Sequence, residues 1–338
     1  MGDWDGVRLW GGGDAAQVQA RLAAGADPCA PSGSGGLTML HAAAELASPE
    51  VVAAMAGAAR QLDGLVEGRS ALWLAVYSGR YENAQVLAAA GADPWLSMMA
   101  GWSPGRLILA GPEPELFPGR PAGASLTPVE AEAAALGREL KATLTGFHFD
   151  GTGLLCIADL DAAEAVRRLD GTPMSEEELL AHNDVEVDED FDPEEEDEDA
   201  WRWLDDVHDL RLVGVTDVPG GCVVTQPWGY QPQTPVVGRT LSAGTIAYGV
   251  YANPKSGNQG SIFTDGTITG WDLHPGGSPW EDATSGEVLL SYLYRSNAAA
   301  YACGYVGLRP PNARPVTGPP HAWVLLPERN YWHDSVRS

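Results

Sequence analysis

Gly270-Trp271-Asp272-Leu273-His274-Pro275 sets a carboxylate and an imidazole two residues apart. On a strand, residues i and i+2 face the same way, so Asp272 would orient His274 as an acid orients a general base. Cys222 is the nucleophile such a pair would serve, with His321 as a second base. The usual frames for that chemistry are missing. No H-E-x-x-H, phosphate loop or dinucleotide fingerprint occurs in the chain. Cys222, followed by Val223-Val224, reads first as core filler, and His274 before Pro275 as the close of a strand. No catalytic residue is assigned, and Asp272 and His274 stand as the candidates.

Other clusters carry two readings each. Asn253-Pro254-Lys255-Ser256-Gly257-Asn258-Gln259-Gly260 holds one of two lysines and can cradle an anion on its amides, or simply connect two strands. Trp228 and Tyr230, between Pro227 and Pro232, read as core or edge packing, with a binding platform as the alternative. Between 184 and 206 stand fourteen Asp or Glu against one Arg, a net of −13 and half of the chain's −26. No calcium loop with its closing glutamate is present there, and mutual repulsion predicts a solvated, disordered acidic insertion at 184–200. The remaining surface is only mildly acidic. It offers nothing for a basic face, so nucleic acid is not expected as a partner, nor is a metal or other cofactor.

The four cysteines lie far apart, with no C-x-x-C and no histidine at zinc spacing, as buried thiols in a reducing cytoplasm would. M-G-D-W-D-G-V-R-L-W has no basic region leading into an apolar run, and no stretch reaches about 18 uninterrupted apolar residues. A cytoplasmic protein without a secretory signal or a membrane partner is expected.

The elements that would position these residues change character along the chain. Residues 112–127, rich in Pro and Gly, read as a linker. From Pro128 a helix runs with acids in its first turn and Arg138 and Lys141 in its last, as the helix dipole favours. Residues 154–158 form a short apolar strand. Asp161 with Glu164 then opens a helix that Gly171 closes, and Ser175 with Glu178 repeats the capping pattern for 176–182. Beyond Trp203 come short β-branched or aromatic stretches at 210–216, 222–225, 244–251, 261–263 and 267–273, with 322–326 as a last strand. Asp265-Gly266 is a hairpin signal. Residues 287–302 read as one or two helices. Grouped strands with helices on either side predict an α+β domain on an antiparallel sheet over 128–338.

The first third is organised differently. Ala-Ala-Gly-Ala-Asp-Pro occurs at 23–28 and again at 89–94, a spacing of twice 33 residues. Between them, Gly36-Leu37-Thr38-Met39-Leu40-His41-Ala42-Ala43 and Gly68-Arg69-Ser70-Ala71-Leu72-Trp73-Leu74-Ala75 both match G-x-[T/S]-x-L-x-x-A. Glycine after a helix supplies its left-handed end, and the following aspartate bonds local amides. The first copy keeps only its second helix. The middle copy has Ala59-Arg60-Gln61 in place of Gly-Ala-Asp. The last, Gly101-Trp102-Ser103-Pro104-Gly105, puts glycine at the leucine position and reads as a closing cap.

Over residues 4–111 these motifs resemble the ankyrin repeat. The resemblance implies a solenoid of paired helices, a hydrogen-bonding role for His41 in its turn, and a protein partner. Such surfaces use turn tips and exposed inner-helix positions, here Glu45, Trp73, Tyr77 and Arg80. Trp73 takes the place of His41 in the next unit and adds packing area. In the second half, L-C-I-A-D-L-D-A-A-E-A-V-R-R-L and G-C-V-V-T-Q-P-W-G-Y resemble an uncharacterised domain of high-GC actinobacteria, which implies a bacterial source and no known activity. The expectation is α+β overall: an all-α solenoid joined to an antiparallel α+β domain. An interaction scaffold or regulatory adaptor comes first. The alternative is a small-molecule enzyme or ligand-binding domain at Asp272 and His274, with the repeats recruiting its target.

Overall fold

In the computed structural model, which describes residues 3–31, 36–146, 149–182, 209–272 and 274–333, the helices of the first third begin on short polar side chains. Asp14, Thr38, Ser48, Ser70 and Ser103 each accept the backbone N–H three residues on, opening α1 (Ala15–Ala23), α2 (Met39–Leu46), α3 (Pro49–Ala58), α4 (Ala71–Tyr77) and α6 (Pro104–Ala110). Only α5 (Tyr81–Ala89) starts without such a cap. One row of helices stacks α2 on α4 on α6, the other α1 on α3 on α5. Leu40, Val51, Met55, Leu72, Ala75 and Leu87 are buried between the rows. Each large aliphatic of this kind contributes about 1.5–3 kcal/mol.

The turns follow the local rules. Gly25 and Gly91 take φ of 92° and 109°, and the Asp27 and Asp93 carboxylates each accept the amide two residues on. In the middle copy, which lacks Gly-Ala-Asp, Asp63 instead accepts the Asp93 amide of the next turn at 3.0 Å. Gly105 stands where a leucine was expected because Trp95 fills that space: a Cβ there would lie 2.7 Å from the ring. At the other end Trp4 and Leu9 are buried, and the Trp4 indole donates to Asp27 O at 2.9 Å, supplying the packing of the missing first helix. The helix from Pro128 is α7 (Pro128–Thr143), its first-turn Glu130 paired with Arg106 at 2.6 Å.

The second half contains β1 (Gly153–Ala158), α8 (Ala162–Leu169), β2 (Thr172–Met174), α9 (Glu176–His182), β3 (Leu212–Val218), β4 (Gly221–Gln226), α10 (Pro235–Leu241), β5 (Ile246–Asn253), β6 (Gly257–Thr264), β7 (Thr267–Asp272), α11 (Ser285–Leu293), α12 (Ala298–Val306), α13 (Arg314–Thr317) and β8 (Ala322–Leu325). The strands form one eight-stranded sheet, in the order β2-β8-β3-β4-β1-β5-β6-β7, with every pair antiparallel. Leu169 of α8 and Val237 and Leu241 of α10 bury one face with Leu155, Val215, Val224 and Phe263. On the other face α12 packs on β1 and β5, and α13 on β3 and β4. Central β1 is buried at all six positions, the pattern of a strand covered on both sides.

Two sequence expectations change here, and one element is new. Asp170, at φ 53°, is the left-handed residue that ends α8; Gly171 is small because a Cβ there would run into the Val324 side chain. Residues 257–260 are strand, so the anion-cradling reading of 253–260 falls. The amides of Lys255 and Ser256 already donate to the Asn253 side chain. Helix α10 went unforeseen, although Thr234-Pro235 is a start signal. The expected acidic insertion at 184–200 lies outside the described residues. The chain divides into two compact units, Met1–Ala134 with Pro279–Leu293, and Ala135–Ser278 with Tyr294–Ser338. Helix α11 therefore belongs to the unit that carries the repeats.

Candidate functional site

The four residues singled out for partner contact fall into two classes. Glu45 and Arg80 are exposed. The Glu45 carboxylate accepts from the Ser78 hydroxyl at 2.9 Å, and Arg80 donates to Ala47 O at 3.3 Å, so both sit at the junction of neighbouring repeats. Trp73 and Tyr77, by contrast, are 0% and 4% exposed. The i, i+4 spacing does put them on one side of α4, but α4 is enclosed by α2, α5 and α6, and that side is core. Trp73 Nε1 is buried without a hydrogen-bond partner among the described residues, at a cost of about 1–3 kcal/mol. Its aromatic area outweighs that cost.

What covers Tyr77 is the chain itself. The Tyr292 ring of α11 meets the Tyr77 ring at 6.1 Å, tilted by 51°. Trp102 is buried under the Arg106 guanidinium, 4.3 Å from the ring, and its indole N–H donates to both the carbonyl and the hydroxyl of Ser285, at 2.9 Å each. Between these anchors α11 packs on α6 and on the 3-10 turn at Met99–Gly101. Gly111, just past α6, leaves the space that the Tyr292 hydroxyl fills. Nothing in the pattern of 279–293 announces this seat, because the contacts span more than 180 positions.

His41 links two repeats. Its Nδ1 lies 2.8 Å from the Thr38 hydroxyl and its Nε2 3.2 Å from Arg69 O. A carbonyl only accepts, so Nε2 carries the proton and Nδ1 accepts from Thr38. Burial holds its pKa below the ordinary value. Asn83 adds a second tie, donating to Ala44 O and Ala47 O at 3.0 Å each.

In the second unit Asp272 closes β7, half-buried. One oxygen accepts the buried Tyr248 hydroxyl at 2.8 Å, the other the backbone N–H of His274 at 2.9 Å. The carboxylate thus anchors a core phenol and turns the chain, while the His274 side chain is exposed. Burial, with Asp272 beside it, pushes the Tyr248 phenol far above its ordinary pKa. Cys222 is fully buried, and burial pushes its thiol up to about 12, whereas a nucleophile needs the thiolate. His321 Nδ1 accepts the Asp217 amide at 3.2 Å. Cys156 and Cys303 meet between β1 and α12 with sulfurs 3.6 Å apart. Trp228 is 53% exposed, and Tyr230 lies between Tyr251 and Trp332, at 5.9 and 5.6 Å. A pocket beside Trp228, lined by Asp209, Leu212, Gln226 and Trp323, has about 10 Å³ of room, no more than one water needs. Among the described residues no three His, Cys, Asp or Glu side chains converge as metal ligands would, and no helix is long and apolar enough to cross a membrane.

No curated protein and no solved structure matches the chain. The sheet-bearing remainder, including the two segments that resemble the actinobacterial domain, matches no family model and is a separate β-rich region. The family model described as "Ankyrin repeats (3 copies)" matches residues 11–98, the stretch in which the two helix rows stack in phase. Residues 11–98 of this chain are three ankyrin repeats.

Proposed function

We propose that this protein is a cytoplasmic interaction scaffold or regulatory adaptor that captures a protein partner through its repeats. The observation that supports the reading is the stack itself. Ankyrin repeats serve protein binding, and a solenoid of this kind spreads its contacts along one extended face. Glu45 and Arg80, exposed at the junctions between repeats, contribute a carboxylate and a guanidinium to that face. In this reading residues 4–111 form the binding domain, 112–127 the linker, and 128–338 an α+β domain with a regulatory or second binding role. Within 128–338, Pro279–Leu293 is the exception, since it packs in the unit that carries the repeats.

The test is affinity capture with the full chain, comparing wild type with the double charge reversal Glu45→Lys and Arg80→Glu. A protein captured by wild type should be lost from the reversal variant while its circular dichroism stays the same. Capture that survives the reversal but disappears with Asp272→Ala and His274→Ala would move the function into the second unit.

A further inference from the structure

Helix α11 engages the repeats as a bound ligand engages a groove. Ser285 and Tyr292, seven positions apart, make the contacts at its two ends, and Val288 and Leu289 on the same side are buried between them. This is the i, i+3, i+4, i+7 spacing of a helix laid in a groove, with Ser291 and Leu293 buried on its flanks. The receiving surface is shaped for those side chains. Trp102 aims its indole N–H at Ser285, Tyr77 meets Tyr292, and the missing Cβ of Gly111 leaves room for the Tyr292 hydroxyl. The helix also carries its own start signal. The Thr284 hydroxyl accepts the Glu287 amide while the Glu287 carboxylate accepts the Thr284 amide, a complete capping box. Ser278 and Tyr294, on either side of Pro279–Leu293, belong to the other unit, so this stretch is lodged among the repeats without being continuous with them in sequence.

We propose that α11 is a displaceable internal occupant of a helix-binding surface on the last repeats. The protein partner then presents a helix with the same anchors: an oxygen acceptor for Trp102, aliphatic residues three and four positions on, and an aromatic at the seventh. This deepens the adaptor reading and rests on it for the partner. A nine-residue helix is marginal by itself, so packing holds it in place and it can leave by local opening. A tethered occupant lowers the apparent affinity for a competitor by the fraction of time the surface is open. Occupancy of about 99% would weaken binding about 100-fold. The partner's grip is thereby set by how firmly α11 is seated.

Two measurements on the full chain test this. In hydrogen–deuterium exchange of the wild type, amides of α11 should exchange at least about tenfold faster than those of α4 and α6. Exchange of all three helices at one common rate would make α11 a fixed wall and overturn the proposal. A fluorescein-labelled synthetic peptide of residues 282–295 is then titrated into wild type and Tyr292→Asp. It should bind the variant at least about tenfold more tightly than wild type. Absence of binding to a variant that retains wild-type exchange in α4 and α6 also overturns it. If the variant fails to fold, the wild-type exchange result decides. Loss of the Glu45 and Arg80 capture result, with both of these intact, would sink the adaptor reading and leave the helix-binding surface standing.

Discussion

Replacing His41 with alanine probes the tie between two repeats through one buried side chain. The imidazole is 3% exposed, accepts from the Thr38 hydroxyl and donates to the Arg69 carbonyl. Each of those bonds contributes about 0.5–1.5 kcal/mol net, and the vacated ring leaves a cavity and a carbonyl without its donor. The expected loss is about 2–4 kcal/mol, or about 5–15 °C in the midpoint of the repeat-bearing unit. The assay is urea and thermal unfolding followed by circular dichroism. Proton linkage supplies an independent arm. Burial holds the folded pKa below the ordinary 6.5, so the unfolded chain binds the proton more tightly. The His41 contribution is complete above pH 6.5 and drains away as the pH falls below it. His41→Gln keeps a donor and an acceptor without titrating, so stability should fall less steeply between pH 6.5 and 5 than in wild type. A cost for His41→Ala below about 0.5 kcal/mol, or an unchanged acid slope in His41→Gln, would refute the assignment.

Gly111→Ala would push a methyl group into the Tyr292 hydroxyl and should cost about 1–3 kcal/mol, with faster amide exchange confined to 285–293. Unchanged exchange there would count against the seat described for α11. Cys222 is held neutral by burial, so its contribution is present below pH 9.0 and lost as the pH rises toward about 12. In Cys222→Ala the alkaline loss of stability should shrink by up to about 4 kcal/mol, measured by urea unfolding across that range. Deleting residues 186–198, which lie outside the described residues, should leave the thermal midpoint unchanged or raised, because their charge density resists burial. A drop of several degrees would show that these acids are bound to something.

The sequence by itself determined what depends on neighbours a few positions away. Thr38, Ser70 and Ser103 cap their helices, Asp27 and Asp93 close their turns, and Asp265-Gly266 turns β6 into β7, because each device is complete within three or four residues. Recurrence of two such devices in phase was enough to reveal the repeats. Side-chain exposure was a different matter. Tyr77 beside Arg80 read as a surface pair, yet one is core and the other solvated, since the neighbours that enclose Tyr77 include a tyrosine 215 positions away. Asp272 and His274 read as a catalytic spacing, and the carboxylate holds Tyr248, which strand pairing brings to it across β6. Only the tertiary structure decided these, because a side chain's partners are chosen by whatever the fold packs against it, and local periodicity carries no record of which distant segment that will be.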